Sequence, residues 1–268
     1  MRASRLERIG TYAVLGVFTA YALYPVLAIL FTALRPEVVG QDGVHWENFA
    51  RAWNEGNFGS YLGTSAIVSA SVVVISVLLS VLAGYAFGTM RFRGREVLFY
   101  LLLLGIMVPA EAIVVPLYFD LRDLGLTNSY LALIAPQVAQ SVAFGAFWMR
   151  TYFSSTSRSV VEAARLDGAG HWQTLWRVLL PMGRPALVTL VVMVFMWTWN
   201  EFLLALVMVT DEALRTAPLG LRFFSGRAVT SVPLLAAASV LVALPVVLVY
   251  LFLQRHFIRG MLDGAVKG

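Results

Sequence analysis

The feature that most limits how this chain folds is a succession of long stretches without charge. They run Ile9 to Leu34, Gly56 to Met90, Val97 to Ala110 and past Glu111 to Phe119, Leu124 to Met149, Pro185 to Asn200 and past Glu201 to Thr210, and Ala228 to Gln254. A helix that crosses a bilayer needs about 20 mostly apolar residues, and in lipid it must satisfy its own backbone hydrogen bonds. The pattern predicts an all-α, polytopic membrane protein with six transmembrane helices, approximately 9–34, 62–90, 97–119, 127–149, 185–210 and 230–254. These form a single transmembrane domain over 1–268. The composition agrees: 59% hydrophobic and 13% charged, against roughly 45–50% and 25% in soluble domains. No length remains for a large soluble catalytic domain.

The first stretch is longer than the apolar core of a cleaved signal peptide, about 7–15 residues, and no A-x-A site closes it. It is expected to stay as an anchor. Basic residues choose the orientation. With six spans, one side carries Arg2, Arg5, Arg8, Arg91, Arg93, Arg95, Arg150, Arg158, Arg165, Arg177, Arg184, Arg255, Arg259 and Lys267; the other carries Arg35, Arg51, Arg122, Arg215, Arg222 and Arg227. The positive-inside rule predicts both termini in the cytoplasm, and the loop 150–184 with them. This explains the net charge of +5 without nucleic acid. The outer loop from Arg35 to Asn57 is too short to enclose a ligand, so capture of a scarce solute would need a separate polypeptide.

Several chemistries are excluded by residue type. Cysteine is absent and the three histidines, His45, His171 and His256, lie in separate polar segments, so no metal cluster or thiol nucleophile is expected. A phosphate-binding loop needs a lysine after its glycine-rich turn, and the only lysine is Lys267. Nor is there an H-E-x-x-H pattern for an intramembrane protease.

Polar residues inside the spans are the candidate path. A charged group at mid-membrane costs about 2.5–3.5 kcal/mol on insertion scales, so it usually faces a cavity or a partner. Glu201 follows Asn200 in the fifth span, roughly 25 Å along a continuous helix from Arg184 at about 1.5 Å per residue. Glu111 lies in the third between Pro109 and Pro116. Gln137, Gln140 and Ser141 form a polar stripe beside Pro136 in the fourth, suited to sugar hydroxyls that exchange water for protein hydrogen bonds. All of these also fit plain interhelical hydrogen bonding. Ser76, Ser80, Gly84 and Gly88 recur every four residues in the second span, a small-residue pattern that suits close helix packing or pore lining.

The remaining signal is polar. Ser159 with Glu162 three residues on is a capping box and predicts a helix from Val160; Gly168 is a natural stop. A second helical stretch, His171 to Leu180, would align Trp172, Leu175, Trp176 and Leu179. Read physically, the segment is either an interfacial linker or a docking surface.

The spacing goes further. Glu162-Ala163-Ala164, three residues, Gly168, nine residues, then Val178-Leu179-Leu180-Pro181 resembles the cytoplasmic loop of ATP-binding-cassette (ABC) importer permeases, with Val178 where isoleucine is usual. The sequence Ala164-Arg165-Leu166-Asp167-Gly168-Ala169 is similar to the carbohydrate-import, maltose-permease-like branch. So are Trp199-Asn200-Glu201-Phe202, Leu124-Gly125-Leu126-Thr127-Asn128-Ser129-Tyr130, Arg259-Gly260 and the terminal Gly264-Ala265-Val266-Lys267-Gly268. The likeness runs from about Tyr61 onward.

That resemblance implies a type I ABC importer permease in a bacterial cytoplasmic membrane, non-catalytic and without a cofactor of its own. Glu162, Ala163, Ala164, Asp167, Gly168 and Ala169 would form the coupling helix that docks on an ATPase. The implied partners are a second homologous permease, two ATPase subunits that bind ATP and magnesium, an external solute-binding protein, lipid and a sugar. A glycerol-3-phosphate or phosphodiester importer is an alternative within the family. An ion-coupled secondary transporter, with Glu111 and Glu201 as its ion sites, is the alternative outside it.

Overall fold

The computed structural model describes residues 5–37, 42–156, 158–225 and 231–265, the side chains of Leu6, Arg158 and residues 255–265 aside. Arg2, Arg227 and Val266-Lys267-Gly268, used above for orientation or resemblance, lie outside the described residues. In chain order the main helices are α1 (Arg5–Ala33), α2 (Glu47–Glu55), α3 (Phe58–Thr89), α4 (Arg95–Met107), α5 (Ala110–Asp123), α6 (Tyr130–Ser155), α7 (Arg158–Leu166), α8 (His171–Met182), α9 (Arg184–Trp199), α10 (Leu203–Met208) and α11 (Val232–Ala265). Four are long and apolar enough to cross a bilayer unbroken, α1, α3, α6 and α11 within its first 23 residues; the count reaches six if each of two bent pairs is one span.

The bent pairs correct the expectation of continuous spans. The predicted third span, 97–119, is α4 and α5 meeting at 95°. Val108 is extended (φ −83°, ψ 120°) before Pro109, because the proline ring disfavours helical backbone in the residue ahead of it. The predicted fifth span, 185–210, ends as a regular helix at Trp199, and α10 restarts at Leu203. At its other end α9 meets α8 at 81°. There Gly183 lies under the Tyr152 ring, where a Cβ would stand 2.5 Å from Cε1, and Pro185 opens the new helix.

The chain divides into two compact units. The first holds residues 1–59 and 220–244. There the end of α1 is closed by Asn48, whose side-chain amide donates to the carbonyls of Ala33 and Arg35, both at 2.9 Å, while His45 N donates to Leu34 O at 3.0 Å. These bonds satisfy carbonyls that a helix end leaves without partners. Arg51 bridges Glu37 at 2.7 Å and Glu55 at 2.9 Å. A hydrogen bond from Ser231, then Arg51, holds the Glu37 carboxyl below its ordinary range. The loop between α1 and α3, expected to be too short for a domain, therefore carries one braced amphipathic helix.

The second unit holds residues 60–219 and 245–268. Its core gathers Val68, Val72 and Val81 of α3, Leu133 and Met149 of α6, Leu175 and Leu179 of α8, Leu190 and Val194 of α9, and Met208 of α10. The small-residue stripe of α3 faces α6. A Cβ on Gly84 would stand 2.5 Å from Met149 Cβ and 2.9 Å from Arg150 N, and one on Gly88 2.9 Å from Phe153 Cβ. From the other side, a Cβ on Gly145 would fall 2.7 Å from Ser80 Cβ. Ser76 closes back on its own helix, its hydroxyl donating to Val72 O.

Candidate functional site

Two neighbourhoods of the second unit hold the polar residues singled out in the sequence. The first is the segment from α7 through α8. The helix begins at Arg158, so Ser159 lies in its first turn and is not the N-cap that a start at Val160 requires. The stop is as drawn from the sequence. Gly168 has φ +80°, its N–H donates to Arg165 O at 3.0 Å, and Ala169 N donates to Ala164 O at 2.9 Å. This pair of bonds is the Schellman closure, and only glycine enters that left-handed backbone without a Cβ penalty.

The helix is two-faced. Val160 and Val161 pack on the core and Ala164 is buried, whereas Glu162, Ala163, Arg165 and Asp167 are exposed. Leu166 is 89% exposed, the most outward of the large apolar side chains among the described residues. No apolar period singles out Leu166 in the sequence; its signal is an aliphatic residue set between Arg165 and Asp167 on a surface helix.

The segment that follows departs from a regular α-helix. Residues Thr174–Leu179 form a π-helical turn between short α-helical ends. The wider turn divides the expected apolar stripe: Leu175 and Leu179 enter the core, while Trp172 stays exposed and stands 5.4 Å from the Trp176 ring. Three bonds tie this segment and the start of α9 to α3 and α6. Tyr85 Oη pairs with His171 Nδ1 at 3.1 Å, Tyr152 Oη donates to Leu179 O at 3.0 Å, and Trp148 Nε1 donates to Ala186 O at 2.9 Å.

The second neighbourhood is a pair of adjoining cavities. The larger, about 780 Å³, is lined by Gln137, Gln140 and Ser141 of α6 and by Asn200 and Glu201 just past α9, among others. The smaller, about 490 Å³, adds Glu111, and the two share Ala110, Gln137, Gln140 and Glu201. All six polar residues picked as path candidates thus line one cavity or both. Among the described lining residues none is basic.

The two carboxylates owe their places to the helix breaks. Glu111 is in the first turn of α5, directly after the 95° bend, where the positive end of the helix dipole favours a negative charge. Glu201 does not sit on a continuous helix as expected; its Oε1 accepts from Leu204 N at 2.8 Å, supplying an acceptor for an otherwise orphan amide of α10. Asn200 Nδ2 donates to Met196 O at 2.7 Å and Gln137 Nε2 to Leu133 O at 2.7 Å, which leaves their amide oxygens for other partners.

Two further groups join these path residues. Trp197 and Phe144 line the larger cavity edge to face, with centroids 4.9 Å apart. Asn128, at φ +54°, clasps the turn after α5 to the end of α10: its Oδ1 accepts from Thr210 N at 3.0 Å and Asp211 N at 2.8 Å, and its N–H donates to Met208 O at 2.9 Å. An asparagine inside a glycine-containing turn is the kind of residue that tolerates this backbone.

Helices fit to span a bilayer, two of them broken beside a polar cavity, define a multi-pass membrane protein built to pass or gate a solute. Discontinuous helices of this kind are tolerated at membrane depth where they line a cavity. Residues 76–263 match the model of the family described as binding-protein-dependent transport system inner membrane component. The chain belongs to that family of transport permeases. It is 40% identical, over 84% of its own length and 74% of the relative's, to a probable ABC transporter permease protein of Bacillus subtilis. It is 31% identical to the diacetylchitobiose uptake system permease protein of Streptomyces coelicolor, over 96% of this chain and 88% of that one. Among solved structures it resembles a chain of a bacterial ABC transporter involved in the import of the acidic polysaccharide alginate. The TM-score is 0.78 at 26% identity, with 96% of this chain and 99% of that chain covered.

Proposed function

We propose that this chain is the permease subunit of an ATP-driven importer for a neutral sugar or oligosaccharide, and that α7 is its coupling helix. One observation carries the reading. The exposed face of α7 is joined, through the closure at Gly168 and the core-anchored π turn, to α9, whose far end lines the larger cavity at Met193, Met196 and Trp197. A push on Glu162, Leu166 and Asp167 is therefore delivered along packed backbone to the walls of the path.

The cavity chemistry supports the cargo class. Amides, a hydroxyl and an aromatic pair suit sugar rings and their hydroxyls, and two carboxylates with no basic counterpart among the described lining residues disfavour a phosphate or uronate cargo. Carbohydrate relatives, such as the trehalose transport system permease protein of Mycobacterium tuberculosis at 32% identity over 98% of this chain, favour the same class. The full assembly then contains a second permease, two ATPase subunits that bind ATP and magnesium, and an external solute-binding protein. Both termini and α7 face the cytoplasm in this reading, the side that the bias of arginines favours.

Tagging the chain and purifying it from native membranes in mild detergent tests the reading. A second permease and an ATPase are expected to travel with it, and the ATPase to be lost when Glu162 and Gly168 are both replaced by bulky residues. A lone or homomeric protein, or uptake indifferent to loss of the ATPase, would overturn it in favour of ion-coupled transport.

A further inference from the structure

The turn between α3 and α4 carries a charge that nothing in the coupling or path assignments uses. Arg91, Arg93 and Arg95 alternate along it, and Gly94 turns the backbone into α4 at φ +81°. One carboxylate, Glu96, answers them, and it is already engaged twice. Arg95 Nη2 donates to Glu96 Oε1 at 2.6 Å and Arg150 Nη2 to Glu96 Oε2 at 2.8 Å, with the Arg150 guanidinium 3.8 Å over the Phe99 ring. Four arginines against one acid leave the cluster three charges positive. Arg91 and Arg93 are exposed, and neither makes an ion pair among the described residues.

The turn is braced. Arg95 Nη1 donates to Met90 O at 3.1 Å, and the Phe87 ring lies 5.9 Å from Phe92 and 5.5 Å from Phe99. Arg91, Phe92 and Arg95 line an open cavity of about 560 Å³ together with Gly94, Glu96 and Val97. Immediately along α4, Val97, Leu98 and Leu101 turn outward, each at least half exposed. A cationic cavity that leads directly onto an aliphatic helix face at the end of a span has the polarity of one lipid molecule: an anionic headgroup above, acyl chains below.

We propose that this turn is a binding site for an anionic phospholipid, with Arg91, in the cavity wall, and Arg93, exposed on the same turn, as the headgroup ligands and the Val97–Leu101 face holding the chains. The inference rests only on the chain being a membrane-spanning protein, and holds whatever the cargo. The aliphatic face is what selects a lipid over a soluble phosphate, since inorganic phosphate gains nothing from it.

The test is the thermal stability of the purified native complex titrated with short-chain phosphatidylglycerol, phosphatidylcholine or inorganic phosphate. Phosphatidylglycerol alone is expected to stabilise the complex at low concentration. In Arg91→Gln/Arg93→Gln its midpoint moves to about twenty-five-fold higher concentration, the product of about fivefold per arginine near a membrane surface. Arg91→Lys/Arg93→Lys restores the charge and returns the midpoint toward that of the natural protein. Equal stabilisation by phosphatidylcholine or by inorganic phosphate would overturn the proposal, as would a midpoint unmoved in the glutamine pair or not restored in the lysine pair. If the glutamine pair instead loses its ATPase subunit, the cluster is a protein-docking surface and the lipid assignment fails.

Discussion

Replacing Gly84 with alanine adds one methyl group at the tightest point between α3 and α6. Its carbon would stand 2.5 Å from Met149 Cβ and 2.9 Å from both Arg150 N and Met149 C, whereas carbon contacts are most favourable at about 3.5–4.0 Å. Two of the three obstacles are backbone, so no rotamer change relieves them and the helices must separate by about 1 Å. Overpacking of this kind costs about 1–3 kcal/mol. Against it, alanine is a better helix former than glycine by about 0.8–1.0 kcal/mol. The net loss is then about 0–2 kcal/mol, a fall of up to roughly 8 °C in melting temperature for a chain of this size. Gly63 lies on the same helix with nothing within 4 Å of its would-be Cβ. Gly63→Ala keeps only the propensity gain and is expected to leave the melting temperature unchanged or raise it by up to about 4 °C. Melting the purified complex in one detergent, followed by tryptophan fluorescence, compares the two. Equal melting temperatures for the two variants would refute the close-approach argument.

Four further outcomes are expected. Leu166→Asp at the 89% exposed position is expected to abolish co-purification of the ATPase while the permease melts within about 2 °C of the natural protein, since exposed substitutions usually change stability by under 0.5 kcal/mol. Gln140→Leu, in the wall shared by both cavities, is expected to lower sugar uptake at least tenfold, about 1.4 kcal/mol, with assembly intact on gel filtration; unchanged uptake would assign the residue to packing. Asn128→Gly tolerates the positive φ and loses only the two side-chain bonds of the clasp, while Asn128→Ala loses them and is also strained at that φ, so the alanine variant is expected to be less stable by about a further 1–2 kcal/mol when the two are melted side by side. Finally, a carboxyl held below its ordinary 4.5, as Glu37 is, adds stability that is complete above that value and is lost as pH falls through the lower folded value. Fluorescence of Trp46 and Trp53 is expected to report loosening of the outer loop below about pH 4.5, less steeply in Glu37→Gln; Glu47, lowered by its own backbone amide and then His45, supplies the remainder.

Some of the site was legible because its signals are local. Gly168 announced a left-handed stop through residue type alone, and its neighbours supply the two bonds that such a stop makes. The end of one predicted span was hidden for the opposite reason. Between Trp199 and Leu203 there is neither proline nor glycine, and the break is held by Glu201 bonding to Leu204 N, a contact that no apolar pattern encodes. The π turn at Thr174–Leu179 was equally invisible: Leu175 and Leu179 fit a 3.6-residue period, and only the core that both enter selects the wider turn.

The sequence by itself determined the class. Long uncharged stretches can only satisfy their backbone in a bilayer as helices, the arginines bias their direction, and the loop around Glu162 carries a pattern close enough to a transport family to expect a partner ATPase. Tertiary structure decided what the polar residues have in common. Glu111, Gln137, Gln140, Ser141, Asn200 and Glu201 lie on three separate stretches of chain, and they line adjoining cavities because α4 and α5 bend by 95° and α9 stops at Trp199. Periodicity records which face of a helix is apolar. It holds no record of where a helix breaks or which neighbour it meets, since those depend on packing between residues far apart in the chain.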